Sequence, residues 1–535
     1  MRRSLRLRRW QRDALGAFEA TPSRDFLAVA TPGAGKTTFA LTAALRDLAT
    51  HPHRRVFVVT PTQHLKHQWA EAAATFGLQL EPSWSAAGSV PGDMHGVVTT
   101  YQQVASSGAT IRGAADDAFV ILDEIHHAGS ERAWGAAIAT AFGDSAHRLS
   151  VSGTPFRSDL DPIPFVRYDH DEAVADFSYG YGDALTEGGV VRPVFFPAIG
   201  GHMEWTTPDG ALVSATFDDA LDRVGASQRL RTALLPTGEW LPAVLRQGHE
   251  QLLRIRASHP DAAGLAIAMD VDHARAIQGL LSPLGVDASI ATSDDPRASE
   301  HIDAFARSRD PWIVAVRMVS EGVDIPRLRV GVYATNVVTE LFFRQAVGRL
   351  VRWQPQLRRQ KSFMFLPDDV RLRTFAHQIA QERTHSLARR EREGDQPPVA
   401  LDGVADDDQM SLFQAISATP AGDVSSIFDD AHPEDLIHID RVDDPDLEIE
   451  LAPPPPLASA FLDGSTLTVS RSQRKRELRQ ANADRVRIIR HLTGLTPEVV
   501  NARLNEQAGI ASIDDGHLRH LERRLSFADR WIDSL

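Results

Sequence analysis

A chain of 535 residues with 43% hydrophobic content is long enough for about three or four domains with buried cores, and the lack of any cysteine excludes disulfides, thiolate zinc sites and cysteine-held iron–sulfur clusters. The formal charge of −14 is concentrated in one place: from Asp395 to Glu450 there are 16 acidic residues against the single base Arg441, so the remainder sits near neutrality and nucleic-acid binding must use a local groove. No stretch approaches the roughly 18 consecutive apolar residues of a membrane span, and the arginine-rich start (Arg2, Arg3, Arg6, Arg8, Arg9) meets Trp10 and Gln11 without a signal-peptide apolar core, which predicts a cytoplasmic protein.

The first decisive element is the apolar run Phe26 to Val29, followed by Ala30-Thr31-Pro32-Gly33-Ala34-Gly35-Lys36-Thr37 and then Thr38-Phe39-Ala40-Leu41. This reads as a phosphate-binding loop between strand and helix, with Ala30 in place of the first glycine. Pro32, Gly33, Ala34, Gly35, Lys36, Thr37 and Thr38 are the expected nucleotide-binding residues. The glycines let backbone N–H groups turn inward around the phosphates, Lys36 supplies a point charge, and the Thr37 hydroxyl can ligate magnesium. Such a loop alone serves kinases, GTPases, transporter ATPases and helicases alike.

Short apolar runs recur at Val56 to Thr60, Gly96 to Thr99, Phe119 to Leu122 and Leu149 to Ser152, with longer amphipathic stretches between them. The alternation predicts a parallel sheet covered by helices. The run from Phe119 ends in Asp123-Glu124-Ile125-His126-His127. Asp123 is placed to hold magnesium, directly or through water, and Glu124 to orient and deprotonate an attacking water.

From about 200 to 260, helical patterns such as Trp240 to Ile255 predict a connector. A second series of runs, Gly264 to Met269, Ala288 to Ala291, Ile313 to Val316, Val330 to Ala334 and Phe363 to Leu366, predicts a second α/β lobe. Gln345, Arg349 and Arg352 stand at i, i+4 and i+7, so one helix face can point two guanidinium groups across a cleft. Near Glu393 the chain turns acidic and rich in Pro and Ser, up to Pro453–Pro456, which predicts a disordered linker. Helical signals return after Arg471, with Thr496 as a cap and Pro497 at a first helical position. The bases Arg471, Arg474, Lys475, Arg476, Arg479, Arg485, Arg487 and Arg490 read as a solvated helix face, with nucleic-acid contact as the alternative.

Taken together, Asp-Glu-Ile-His resembles the signature of the superfamily 2 DExH-box helicases, of the type III restriction and UvrB kind, and further motifs follow in family order over roughly residues 5 to 370. Leu7-Arg8-Arg9-Trp10-Gln11 resembles the upstream adenine-reading motif, in which the Gln11 amide pairs with the base edge. Val59-Thr60-Pro61-Thr62, with Leu65 and Gln68-Trp69, resembles motif Ia, and Val98-Thr99-Thr100-Tyr101 a later strand-contacting motif. Ser152-Gly153-Thr154-Pro155 matches motif III. Ser320-Glu321-Gly322-Val323-Asp324-Ile325-Pro326 resembles motif V, and the segment from Gln345 through Gly348 and Arg349 to Arg352 resembles motif VI.

The resemblance implies two tandem RecA-like parallel-sheet lobes sharing ATP and Mg2+. Lys36, Asp123, Glu124, His126, Gln345, Arg349 and Arg352 are the implied catalytic residues, and Gly322 and Asp324 are added to the nucleotide site. Thr37 and Asp123 are the implied metal ligands. Thr62, Thr100 and Ser320 are the candidate contacts to a nucleic-acid backbone, DNA in preference to RNA. The expected divisions are a first lobe at 1–199, a helical connector at 200–260, a second lobe at 261–392, an acidic disordered linker at 393–460 and a small helical module at 461–535. Within the linker, Gln409-Met410-Ser411-Leu412-Phe413 resembles the bacterial sliding-clamp binding peptide. The chain therefore reads as an ATP-dependent helicase or translocase tethered to the clamp. The motor subunit of a restriction or phage-defence complex and an ATP-switched DNA clamp stay open beside it.

Overall fold

The computed structural model describes residues 3–86, 89–129, 132–153, 162–169, 172–207, 212–292, 298–316, 325–357, 360–394, 448–457, 470–513 and 516–535. Thr154 and Pro155, Ser320 to Asp324 (with Gly322), and the peptide Gln409 to Phe413 lie outside the described residues. The chain forms two compact units, Met1–Val29 with Gly35–Ser178 and Asp444–Leu535, and Ala30–Ala34 with Tyr179–Asp443. Among the described residues no helix is long and apolar enough to cross a membrane.

The first unit opens with β1 (Arg3–Arg6), α1 (Arg9–Ala20), β2 (Asp25–Ala30), α2 (Lys36–Thr50), β3 (Val56–Thr60) and α3 (Gln63–Thr75). It continues through β4 (Leu80–Glu81), β5 (Gly96–Thr100), α4 (Tyr101–Ala114), β6 (Phe119–Asp123), α5 (Arg132–Phe142), β7 (His147–Ser152), β8 (Arg167–Asp169), β9 (Glu172–Val174) and β10 (Phe177–Tyr179). Among the described residues one sheet takes the order β10-β2-β7-β6-β3-β5-β4, and the pairs from β2 to β4 are parallel. The strands β3, β5 and β6 are buried along their whole length because helices cover both faces, which is why they appear in the sequence as unbroken apolar runs. The sheet carries the phosphate loop, the acidic pair and Ser152-Gly153 at the C-terminal ends of β2, β6 and β7, with β7 between the other two. That edge is where open parallel sheets bind ligands.

The second unit runs α6 (Tyr181–Glu187), β11 (Val194–Phe195), β12 (Ala198–Ile199), β13 (His202–Thr206), β14 (Leu212–Thr216), α7 (Arg223–Ala233), α8 (Trp240–Arg256), β15 (Ala263–Ala268) and α9 (Val271–Leu281). It then adds β16 (Ser289–Thr292), α10 (Ala298–Arg307), β17 (Trp312–Val316), β18 (Leu328–Ala334), α11 (Glu340–Leu350), β19 (Ser362–Pro367) and α12 (Val370–Gly394). Its parallel sheet has the order β11-β19-β18-β15-β17-β16, with β12 also on β19. Both lobes are RecA-like.

The region expected to be a helical connector differs in two ways. It begins with the antiparallel pair β13 and β14, and α8 is no bridge: Leu241, Val244, Leu245 and Leu252 share one core with Val314, Val330 and Val332. The first unit's share of the chain before its return ends at Ser178 rather than at 199, because β11 and β12 pair with β19.

The stretch expected to be linker as far as Pro456 also holds structure. Residues Glu448–Leu451 form β20, which pairs antiparallel with β1, Arg3 opposite Leu451 and Arg6 opposite Glu448. His95 accepts the Gln79 amide on Nδ1 at 2.8 Å, so its Nε2–H donates to the Pro455 carbonyl at 2.9 Å.

Helices α13 (Arg471–Thr493), α14 (Pro497–Ala508) and α15 (Leu518–Asp533) complete the first unit. The basic run of α13 is not the uniformly solvated face expected. Lys475 is fully buried, its Nζ 3.2 Å from both Glu81 and Asp93, whose side chains are 0% and 1% exposed. Arg479 adds a second ion pair to Glu81 at 3.2 Å, and the Leu518 amide donates to Asp93 at 3.1 Å. The buried positions Ser472, Lys475, Leu478, Asn482 and Ile489 form one helical stripe, so this Lys faces inward with the apolar residues. Within the bundle the buried Arg524 donates to the side-chain oxygens of Asn482, Asn501 and Asn505.

Candidate nucleotide-binding site

The turn out of β2 is built on left-handed backbone. Gly33 has φ +84° and Gly35 φ +92°, a region that residues with a Cβ rarely adopt. Gly35 is the N-cap of α2, so Lys36 and Thr37 stand in the first helical turn, where unpaired amides favour an anion. Gln11 braces this turn. Its Nε2 donates to Gly35 O at 2.9 Å and its Oε1 accepts the Arg8 amide at 2.8 Å, leaving one amide proton and one lone pair for a base edge. A Cβ on Gly35 would come within 2.7 Å of that Nε2. Gly35→Ala should therefore combine backbone strain of about 1–3 kcal/mol with loss of the Gln11 brace, and weaken nucleotide binding by at least about tenfold. Titration with a fluorescent nucleotide, beside a melting curve, checks it, and wild-type affinity would exclude the tight turn as a requirement.

Glu124 follows β6 with φ +47°, the strained left-handed region for a non-glycine residue, and this turns the chain into the 3-10 segment Ile125–Gly129. Its carboxylate meets Lys36 Nζ at 3.1 Å on one oxygen. The other oxygen accepts the Gly153 amide at 3.0 Å and lies 3.5 Å from the Ser152 hydroxyl. Burial works to raise the Glu124 carboxyl, but the Lys36 charge foremost, with the Gly153 amide, outweighs it and holds the group well below the usual carboxylate range. Asp123 moves the other way: burial, then the adjacent Glu124 charge, raise it well above that range. A pair pushed apart in this manner is a frequent sign of functional carboxylates. His126 sits 3.2 Å from Ser152 Oγ, and burial pushes it down to about 3, so its 3.6 Å approach to Glu124 is a neutral contact rather than an ion pair.

The remaining candidates fall as follows. Thr62 caps α3 by accepting the Leu65 amide, and Thr100 caps α4 by accepting the Gln103 amide. Thr100 is only 2% exposed, so of the two Thr62 alone offers surface. Gln345 and Arg349 lie on α11, but Arg352 does not: the helix ends at Leu350 with Val351 as C-cap, and Arg352 forms a bridge with Val191. The i, i+4, i+7 face expected for these three is thus broken after its second member. Beside this helix end stands Arg192, which the sequence reading missed. Buried at 0% exposure, it donates to the backbone carbonyls of Pro326 and Arg352, and its own amide bonds to Val351 O. Also within the second unit, Gly348 has no room for a side chain, since a Cβ there would lie 2.5 Å from Pro32, and a Cβ on Gly33 would meet Arg352 at 3.6 Å.

A phosphate loop and an Asp-Glu pair at the C-terminal edge of one RecA-like sheet, on strands separated only by β7, define a helicase-like P-loop protein. The chain belongs to the superfamily 2 helicase-like family, and the family profile described as the type III restriction enzyme res subunit matches residues 4–157. Uncharacterized protein Rv2917 of Mycobacterium tuberculosis is 46% identical over 406 residues, 74% of this chain and 67% of that protein. Among solved structures, a fragment described as an HsdR subunit of a type I restriction enzyme from Vibrio vulnificus is similar at 16% identity and TM-score 0.49, over 69% of this chain and 65% of that one, so this chain spans slightly under two thirds of it. Dbp5 of S. cerevisiae, bound to RNA and ADP BeF3, is similar at 13% identity and TM-score 0.46, over 70% of this chain and 87% of that one.

Proposed function

We propose that this chain hydrolyses ATP with Mg2+ to drive movement along, or remodelling of, nucleic acid, DNA in preference to RNA, in the cytoplasm. The observation that carries the reading is the Glu124 carboxylate, held between Lys36 on one side and Gly153, Ser152 and neutral His126 on the other. A triphosphate offers Lys36 a competing anionic partner. As Lys36 turns to the phosphates, Glu124 is released from its ion pair, becomes more basic, and can orient and deprotonate water. Because Ser152 and Gly153 touch the same carboxylate, the change is felt at the end of β7, where motif III begins.

Thr37 and Asp123 fit magnesium, being a hydroxyl in a first helical turn and a carboxylate 7% exposed at a strand end. When bound, the ion neutralises charge developing on the phosphates. Arg349 and Arg352 add positive charge to the same triphosphate, Gly322 and Asp324 extend its site, and Gln345 orients the water. Thr62 and Ser320 grip a phosphate backbone, and Gln409 to Phe413 tether the motor to a sliding clamp.

The test is an ATPase titration with single-stranded DNA, duplex DNA and RNA at fixed salt, run beside strand displacement, since salt changes phosphate-driven affinity strongly. Stimulation by DNA with displacement is the result expected of a helicase. Stimulation without displacement identifies a translocase, the activity also required of a restriction-type motor. Absence of hydrolysis under every condition would exclude the motor.

A further inference from the structure

Trp69 on α3 is 3% exposed, and its indole Nε1–H donates to Oδ2 of Asp123 at 2.7 Å. Core packing accounts for a buried ring but does not require its one polar atom to end on a carboxylate at the edge of the phosphate loop. An indole is a donor only and carries no charge, so it fixes the carboxylate without neutralising it. A second aromatic residue fixes the main chain of the same Asp: the Tyr101 hydroxyl of α4 donates to the Asp123 carbonyl at 2.8 Å. Among the described residues no other side chain donates to the Asp123 carboxylate. One carboxylate oxygen is thus committed to Trp69.

We infer that Trp69 is a positioning residue for the divalent cation of the nucleotide site, locking Oδ2 of Asp123 so that Oδ1 serves as the metal ligand. The inference rests on the nucleotide-hydrolysis reading above. It also gives α3 a second duty. Thr62, the N-cap of this helix, precedes Trp69 by seven residues, about two helical turns. One rigid element therefore carries both the expected backbone contact and the donor that sets the metal ligand, and a pull on its N-terminus is transmitted to Asp123.

Mn2+ is the probe. Its binding to the full chain with a non-hydrolysable ATP analogue, read by electron paramagnetic resonance, is compared for wild type and Trp69→Phe, which keeps an aromatic ring and removes the donor. Mn2+ affinity should fall by about 10–100-fold, the usual cost of losing an outer-shell partner, while analogue affinity in EDTA stays unchanged. Equal Mn2+ affinity in both proteins overturns the inference and leaves the ATPase reading standing. Failure of wild type to bind the analogue overturns the ATPase reading instead. Should Trp69→Phe not fold, wild-type protein labelled with 15N-tryptophan answers the same question among its nine indoles. The indole resonance that moves in Asp123→Asn must be the one that Mn2+ with analogue broadens most, and a different resonance broadening most rejects the assignment.

Discussion

Glu124→Gln should lower ATP turnover by about 10²–10⁴-fold, the range over which a positioned general base acts, with nucleotide affinity unchanged or tighter. The substitution keeps side-chain length, so the left-handed backbone at this position is strained in both proteins and cancels from the comparison. What changes is charge. Lys36 loses the anion 3.1 Å away and is left available to phosphate, which is why affinity should hold or rise while chemistry fails. Steady-state hydrolysis together with analogue binding on one preparation checks both halves. Wild-type turnover would remove Glu124 from the role of base.

Lys475→Ala should cost the first unit about 3–5 kcal/mol, because removing one partner from a buried ion-pair cluster leaves its counter-charges without compensation. Glu81 retains Arg479 at 3.2 Å, whereas Asp93 keeps the Leu518 amide and a His517 nitrogen at 3.6 Å. Asp93 should therefore suffer most, and Asp93→Asn should recover part of the loss. Burial works to raise the Asp93 carboxyl, but Lys475, the Leu518 amide and His517 outweigh it and hold it below its ordinary value. A depressed carboxylate contributes stability that is present above the unfolded value of about 3.9 and is lost as pH falls through the lower folded value. In Lys475→Ala that loss should begin at higher pH. Denaturant melts at several pH values measure both effects, and an unchanged midpoint at neutral pH would mean that the cluster contributes nothing net.

The lobes were legible because their strands are buried on both faces. Runs such as Val56–Thr60 and Phe119–Asp123 carry no alternation to confuse with a solvated strand. The phosphate loop and the acidic pair were legible for a different reason, as glycines ahead of Lys36 and adjacent carboxylates at a strand end are local signals. Contacts between distant segments were not. Lys475 stands among arginines in a charge run, and only its alignment with Ser472, Leu478 and Asn482 hinted at an inward face, while Glu81 and Asp93 lie nearly 400 residues away. Arg192 gave no signal, since a lone Arg ahead of a proline does not announce that it will hold two distant backbone segments. Arg352 was misplaced by extending helical periodicity past Leu350, where a bridge to Val191 takes over. Trp69 was read as part of a motif, but its indole could be assigned to Asp123 only once α3 and β6 were packed together.

The pairing of β1 with β20 makes covalent order and spatial order diverge. The strand at 448–451 lies beside the one at 3–6, so the first unit is closed by pieces of chain more than 440 residues apart in sequence. Loop-closure entropy grows only with the logarithm of chain length, so the first unit can carry the whole second unit as an insertion between its own strands.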